Sequence, residues 1–209
     1  MDAVVTAVAC MEGTLLNFTF SPLTLTPSIE DCPLFNAGRG AVFNSDGKNE
    51  LESSLMLSKP PASHPEVPAS RRSFALTLLT RARNPIKLAR ALYLAHDSTP
   101  HTLLSGSAAE HLGKKLGEEL TEPAYFFTLR RWREHRRGLG LPDHPFPPDV
   151  PIVDDGEKGE DPLDLLPKGT VGAVALDERG CIAVATSTGG LTNKFPGRIG
   201  TPKQPYHHR

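Results

Sequence analysis

The sequence predicts an α+β protein, and three observations carry that prediction. Two β-rich runs, Val171–Leu176 and residues 181–188, flank a polar Asp177-Glu178-Arg179-Gly180 segment, the pattern of a hairpin. An earlier pair, residues 40–43 and Leu51–Leu57, flanks the turn-forming Asn44-Ser45-Asp46-Gly47 and reads as a second hairpin. Between residues 85 and 137, three segments instead space their apolar side chains as helices do.

Taken in order, residues 4–11 form a short apolar run with helical or strand potential. Residues 13–28 have no helical period and break at Pro22 and Pro27, so they read as an insertion. Residues 30–43 are turn-rich and feed the strand at 40–43. Residues 58–70 hold four prolines and form a loop. Asn84 is a good helix cap and Pro85 suits the first helical position, with Ile86, Leu88, Ala89, Leu92 and Tyr93 following at helical spacing. Leu103-Leu104 suits a short strand before Gly106. Residues 107–120 predict a helix with Leu112, Leu116 and Leu120 on one face, and residues 125–137 a basic amphipathic one. Residues 139–169 hold seven prolines and a run of acids, which is the composition of a solvated linker. Residues 201–209 show no periodicity.

Composition narrows the function. Twenty prolines and 18 glycines in 209 residues, with 38% apolar residues, describe a core cut by irregular stretches. The net charge of −1 excludes a globally basic nucleic-acid binder and an acidic solvating tail. Five arginines with Trp132 and His135 in residues 130–137 form a local basic run, favoured as a solvated helix over an RNA-binding one. Cys10, Cys32 and Cys181 are too few and too far apart for a disulfide framework or a thiolate zinc site. The acid at Asp2 is foreign to a secretory leader, and the prolines and Asn17 make residues 13–29 a poor membrane helix. A soluble, cytoplasmic protein without nucleic-acid or membrane partners is expected. No P-loop, dinucleotide fingerprint or HExxH motif occurs, and His207-His208 read as part of an irregular tail.

The stretch GTVGAVALDERGCIAVATSTGG carries the chemistry. If Leu176 pairs with Cys181, Thr170 falls opposite Ser187 and beside Thr186 and Thr188; a slip of one residue exchanges the faces. A Thr opening a strand after Gly169 and a linker suggests that the Gly169–Thr170 bond is cut. Thr170 would then carry a hydroxyl and a free α-amine able to act as its general base, with an ordinary pKa of roughly 7.7–8.0. Spacing alone favours an ordinary core hairpin over this reading.

The motifs PKGTVGAVA, TSTGG and TNKFPGRIG, with DCPLFNAGRGAVF upstream, resemble the plant-type L-asparaginase/isoaspartyl aminopeptidase family, with NPIKLARALYL and RRWREHRRGLGL closest to fungal members. The resemblance implies a four-layer αββα N-terminal-nucleophile (Ntn) hydrolase sandwich that matures by autoproteolysis. Residues 1–169 would correspond to the α subunit, residues 170–200 to the start of the β subunit, and residues 201–209 to an aberrant tail. Thr170 would be the nucleophile and Gly169–Thr170 the cleavage bond. Thr188 would be the second threonine, hydrogen-bonded to the nucleophile. Arg198 would grip the substrate α-carboxylate with its planar fork, and Asn36 would approach the nucleophile region. Backbone carbonyls of Glu30, Cys32, Phe35, Ala37 and Arg39 would hold a structural sodium ion, with no cofactor required. L-asparagine and β-aspartyl peptides are the implied substrates, and a homodimer of processed αβ units the implied assembly.

The chain also departs from the family's pattern. An HGGAG-like first strand is missing, Thr201-Pro202 follow Gly200 where an Asp is expected, and Met56-Leu57-Ser58 replaces MDG. No Thr-Gly-x-Gly oxyanion stretch follows. The expectation is an incomplete sandwich with impaired hydrolysis, or an inactive remnant that pairs with full-length copies through its α-subunit helices.

Overall fold

The computed structural model describes residues 1–13, 33, 35–147, 150 and 169–200, residues 10–13 by backbone alone. The expected insertion, most of the linker and the expected aberrant tail lie outside the described residues. The α+β expectation holds: one five-stranded sheet packs against helices.

The strands are β1 (Leu51–Leu57), β2 (Ser73–Leu79), β3 (Leu103–Ser105), β4 (Val171–Leu176) and β5 (Ile182–Thr188), in the order β3-β2-β1-β5-β4. Among the described residues only the β2–β3 pair is parallel. The helices are α1 (Asp2–Gly13), α2 (Pro85–Leu94), α3 (Gly106–Lys115) and α4 (Leu129–Gly138), with short 3-10 turns at Gly38–Gly40 and Pro123–Phe126. Period-two burial along β1 turns Leu51, Leu55 and Leu57 inward while Glu52, Ser54 and Met56 face out. Phe74, Leu76, Val171, Ala183 and Ala185 complete the inner face, which α1 covers over β4 and β5 and α2 over β1 and β2. Asp2 and Arg90 join the two helices at 2.8 Å. α3 packs on α2 where Gly113 leaves room for Leu88.

Buried charges close the helix ends and turns. Arg71 lies between the Phe74 and Tyr93 rings and donates to the Leu92, Tyr93 and Thr99 carbonyls. It thereby satisfies acceptors that the end of α2 leaves open. Glu110 of α3 accepts the Thr80, Arg81 and Ala82 N–H groups. Two arginines of the basic run in α4, Arg131 and Arg136, also find partners within the chain. Arg131 is 1% exposed; its Nε donates to the Gly40 carbonyl at 2.7 Å and its Nη1 to Glu134 Oε2 at 2.8 Å. Arg136 stacks over Trp132 and donates to Pro142 and His144 carbonyls.

Three expectations need correction, and one strand was not expected. Residues 40–43 do not form a hairpin with β1. A single Phe43–Asn49 bridge closes the turn, the Asn49 side chain takes the Ala41 and Val42 carbonyls, and both edges of β1 are occupied by β2 and β5. β2 has no counterpart in the sequence reading. α3 ends at Lys115 rather than at residue 120, because Gly117 turns left-handed (φ +90°) and Glu118 N–H returns to the Gly113 carbonyl. The basic helix starts at Leu129, capped by Thr128, whose hydroxyl accepts the Arg131 N–H.

Candidate active site

The β4–β5 hairpin sets the site's register. Asp177 Oδ1 accepts the Arg179 N–H at 2.9 Å and the Cys181 N–H at 2.8 Å. Those bonds hold the Asp177 carboxyl below the usual carboxylate range, the Cys181 amide contributing most. Gly180 adopts φ +70°, so the loop is three residues long and Asp177 N–H bonds the Cys181 carbonyl. This left-handed glycine is the device that lets a three-residue loop close a hairpin. Leu176 therefore pairs with Ile182 and Val171 with Ser187, one step away from the register considered above. Carried one residue further, the same register sets Thr170 opposite Thr188 instead of Ser187.

Thr188 is in turn opposite Glu52 of β1. Thr188 and Glu52 thus stand level on adjacent strands, where alternation turns them to the outer face with Thr186 and Ser54, and Thr170 lies one residue ahead of β4. The Ser54 and Thr186 hydroxyls bond at 2.7 Å across that face. Thr170 and Gly169 are exposed, whereas Thr188 is half-buried and its Oγ1 accepts the Gly190 N–H at 3.0 Å.

Asn36 fastens the Gly38–Gly40 turn to the end of β5. Its Nδ2 donates to the Gly190 carbonyl at 2.8 Å, its Oδ1 accepts the Val42 N–H, and its own carbonyl accepts the Gly189 N–H. A Cβ at Gly189 would lie 2.7 Å from Asn36 Oδ1, so only glycine fits this joint. Asn193, at φ +58°, ties the following loop to α4 by accepting from His135 Nδ1 and donating to the His135 carbonyl. Burial lowers the His135 pKa despite that bond.

Sequence reasoning passed over Glu50, Glu52 and Lys194. Lys194 is 2% exposed; its Nζ donates to the Glu50 carbonyl at 2.8 Å and sits 3.6 Å from Glu52 Oε1. The Glu50 carboxylate accepts the Gly197 N–H, adjacent to Arg198. The outward alternation of Glu52, Ser54 and Met56 was the available signal, but it acquires meaning only once β1 lies beside β5. Arg198 is half-buried.

The sodium expectation rests on carbonyl oxygens. Glu30 and Cys32 lie outside the described residues. Of the remainder, the Ala37 carbonyl accepts the Gly40 N–H, and a Cβ at Gly40 would overlap the Pro33 and Phe35 carbonyls, which therefore converge under the turn. Backbone carbonyl oxygens are the donor type a hard cation takes, and of the expected set the structure brings only Phe35 to this convergence among the described residues. No cluster of three His, Cys, Asp or Glu suited to a transition metal occurs among the described residues. No described helix is long and apolar enough to cross a membrane.

The mixed sheet thus carries an exposed threonine immediately before β4, a second threonine at the end of β5 and an arginine-bearing turn after it. The family model for asparaginase matches residues 25–203. The isoaspartyl peptidase of Escherichia coli K12 is 36% identical over 176 residues, covering 82% of this chain and 47% of its own length. The isoaspartyl peptidase/L-asparaginase of Rattus norvegicus is 37% identical over 174 residues, covering 82% and 43%. That of Mus musculus is 36% identical over 174 residues, covering 82% and 44%. The chain belongs to the asparaginase family, and it spans about half the length of the curated relatives it matches.

Proposed function

We propose that the protein is a threonine-nucleophile amidohydrolase acting on L-asparagine and β-aspartyl peptides, matured by cleavage at Gly169–Thr170. The observation that supports this reading is the hairpin register, Val171 opposite Ser187, which continued by one residue would bring the exposed Thr170 and its preceding glycine to the level of Thr188. The names of the relatives support the substrate class.

In maturation, Thr170 Oγ attacks the Gly169 carbonyl carbon. The C–N bond breaks as the hydroxyl proton passes to nitrogen, and water hydrolyses the resulting ester. The products are a Gly169 carboxylate and a Thr170 with free hydroxyl and α-amine. In turnover, the amine takes the hydroxyl proton as Oγ attacks the side-chain amide carbon, and gives it to the departing ammonia or peptide amine. Water then cleaves the acyl-enzyme and releases aspartate. Thr188 orients the nucleophile, Arg198 holds the α-carboxylate, and Asn36 secures the strand end beside them. Carbonyls of Glu30, Cys32, Phe35, Ala37 and Arg39 would hold a sodium ion that stiffens the Asn36 loop. Processed αβ units pair as a homodimer in the cytoplasm.

Intact mass of the purified protein tests maturation: two fragments divided at Gly169/Thr170 are expected, with a reduced but measurable release of ammonia from L-asparagine, whereas a single uncut chain marks the inactive remnant. Thr170→Ala should leave a single uncut chain and lower the rate by about a thousandfold or more. An uncut wild-type chain that releases no ammonia overturns the reading.

A further inference from the structure

The loop after β5 is bound back to β1 by two charged side chains that the proposed chemistry does not use. Phe195–Arg198 is a turn closed by the Arg198 N–H on the Phe195 carbonyl at 3.0 Å, with Pro196 second and Gly197 third at φ +78°. Those residues and that angle are what a type II turn requires. The closing bond leaves the Gly197 N–H for an outside partner, and both Glu50 carboxylate oxygens take it, at 3.0 and 3.2 Å. A carboxylate on a backbone amide is about twice as strong as a neutral pair. Glu50 therefore grips the turn one residue before Arg198.

Glu50 is itself held in place. Lys194 donates to its carbonyl and reaches toward Glu52, the residue opposite Thr188. Glu50 and Glu52 are two strand positions apart, roughly 7 Å. The contacts thus run without a gap from Thr188 through Glu52, Lys194 and Glu50 to the Arg198 turn. Charge follows the same logic. Lys194 offsets the acids nearest the site, and Glu50 is committed to an amide rather than to a guanidinium. The Arg198 side chain makes no hydrogen bond or ion pair among the described residues.

We propose that Glu50 is a positioning residue for substrate binding, its carboxylate fixing the Pro196–Gly197 turn so that Arg198 meets the α-carboxylate of an L-asparagine-like substrate. Lys194 keys that turn to the level of Thr188. The inference rests on the role given to Arg198 above.

The test is steady-state ammonia release from L-asparagine by the purified protein. Glu50→Gln should raise KM about tenfold and leave kcat within about threefold, the mark of lost binding shared by ground and transition states. It should still divide at Gly169/Thr170. Glu50→Asp, which keeps the charge and guards against a folding failure, should recover part of the loss. Arg198→Lys combined with Glu50→Gln should be no worse than Arg198→Lys alone, because Glu50 acts through Arg198. An unchanged KM in Glu50→Gln, or losses that multiply in the double variant, overturns the positioning role while the functional reading stands. A wild-type protein without ammonia release overturns the functional reading, and this inference with it.

Discussion

The two faces of the sheet are made by the same strands, alternate residues going to each, yet they are built to different rules. On the inner face Leu51, Leu55, Leu57, Phe74, Val171, Ala183 and Ala185 are buried under α1 and α2. On the outer face hydroxyls and acids gather at one end, Thr170, Thr188, Glu52, Ser54 and Thr186, and apolar side chains stand exposed at the other. Val174 is 71% exposed, Leu176 69% and Met56 58%. The inner face draws its stability from apolar area removed from water, which is non-directional. The polar end of the outer face depends on direction and register. A single-residue slip would leave the strands paired and still invert which hydroxyls face Thr170.

The largest effect that would break this comparison is on the inner face. Phe74→Ala should cost about 3–5 kcal/mol in urea unfolding, whereas Val174→Ser should stay within about 0.5 kcal/mol. Equal costs would mean that the outer face is covered as the inner one is. A smaller effect probes register. Gly180→Ala forces a Cβ into a left-handed position and should cost about 1–2 kcal/mol in thermal unfolding. Gly180→Asn, better suited to that conformation, should cost less.

The smallest effect is electrostatic and lies behind the site. The folded-state pKa of His135 is below its ordinary value because burial disfavours the imidazolium. The unfolded chain therefore binds the proton first. The neutral His135 contribution is complete above the unfolded pKa of about 6.5 and is lost as pH falls toward the lower folded value, with a slope below about 1.4 kcal/mol per pH unit. Unfolding between pH 7 and pH 5 should show that decline, and His135→Gln should flatten it. An unchanged slope would remove His135 from the account of how α4 holds the Asn193 loop.

Legibility in the sequence followed the range of the interaction. The β4–β5 hairpin was readable because its signal is local, but its exact pairing was not, since Gly180 suits loops of three or four residues alike. β2 went unread because SFALTLL is a short apolar run without alternation, which periodicity cannot assign. Thr170, Thr188 and Arg198 were reached through motif resemblance, and Glu50, Glu52 and Lys194 were not reached.

By itself the sequence determined the α+β class, the helix start at Pro85, the β4–β5 turn and membership of the asparaginase family. Each is carried by neighbours within a few residues or by a contiguous motif. The tertiary structure alone decided which strand lies beside which, and hence everything that crosses them. Lys194 meets Glu50 across 144 residues and Arg131 meets Gly40 across 91. No local propensity encodes such pairs. They exist because buried polar groups must find partners, and which partner is within reach is settled only when the sheet and helices pack.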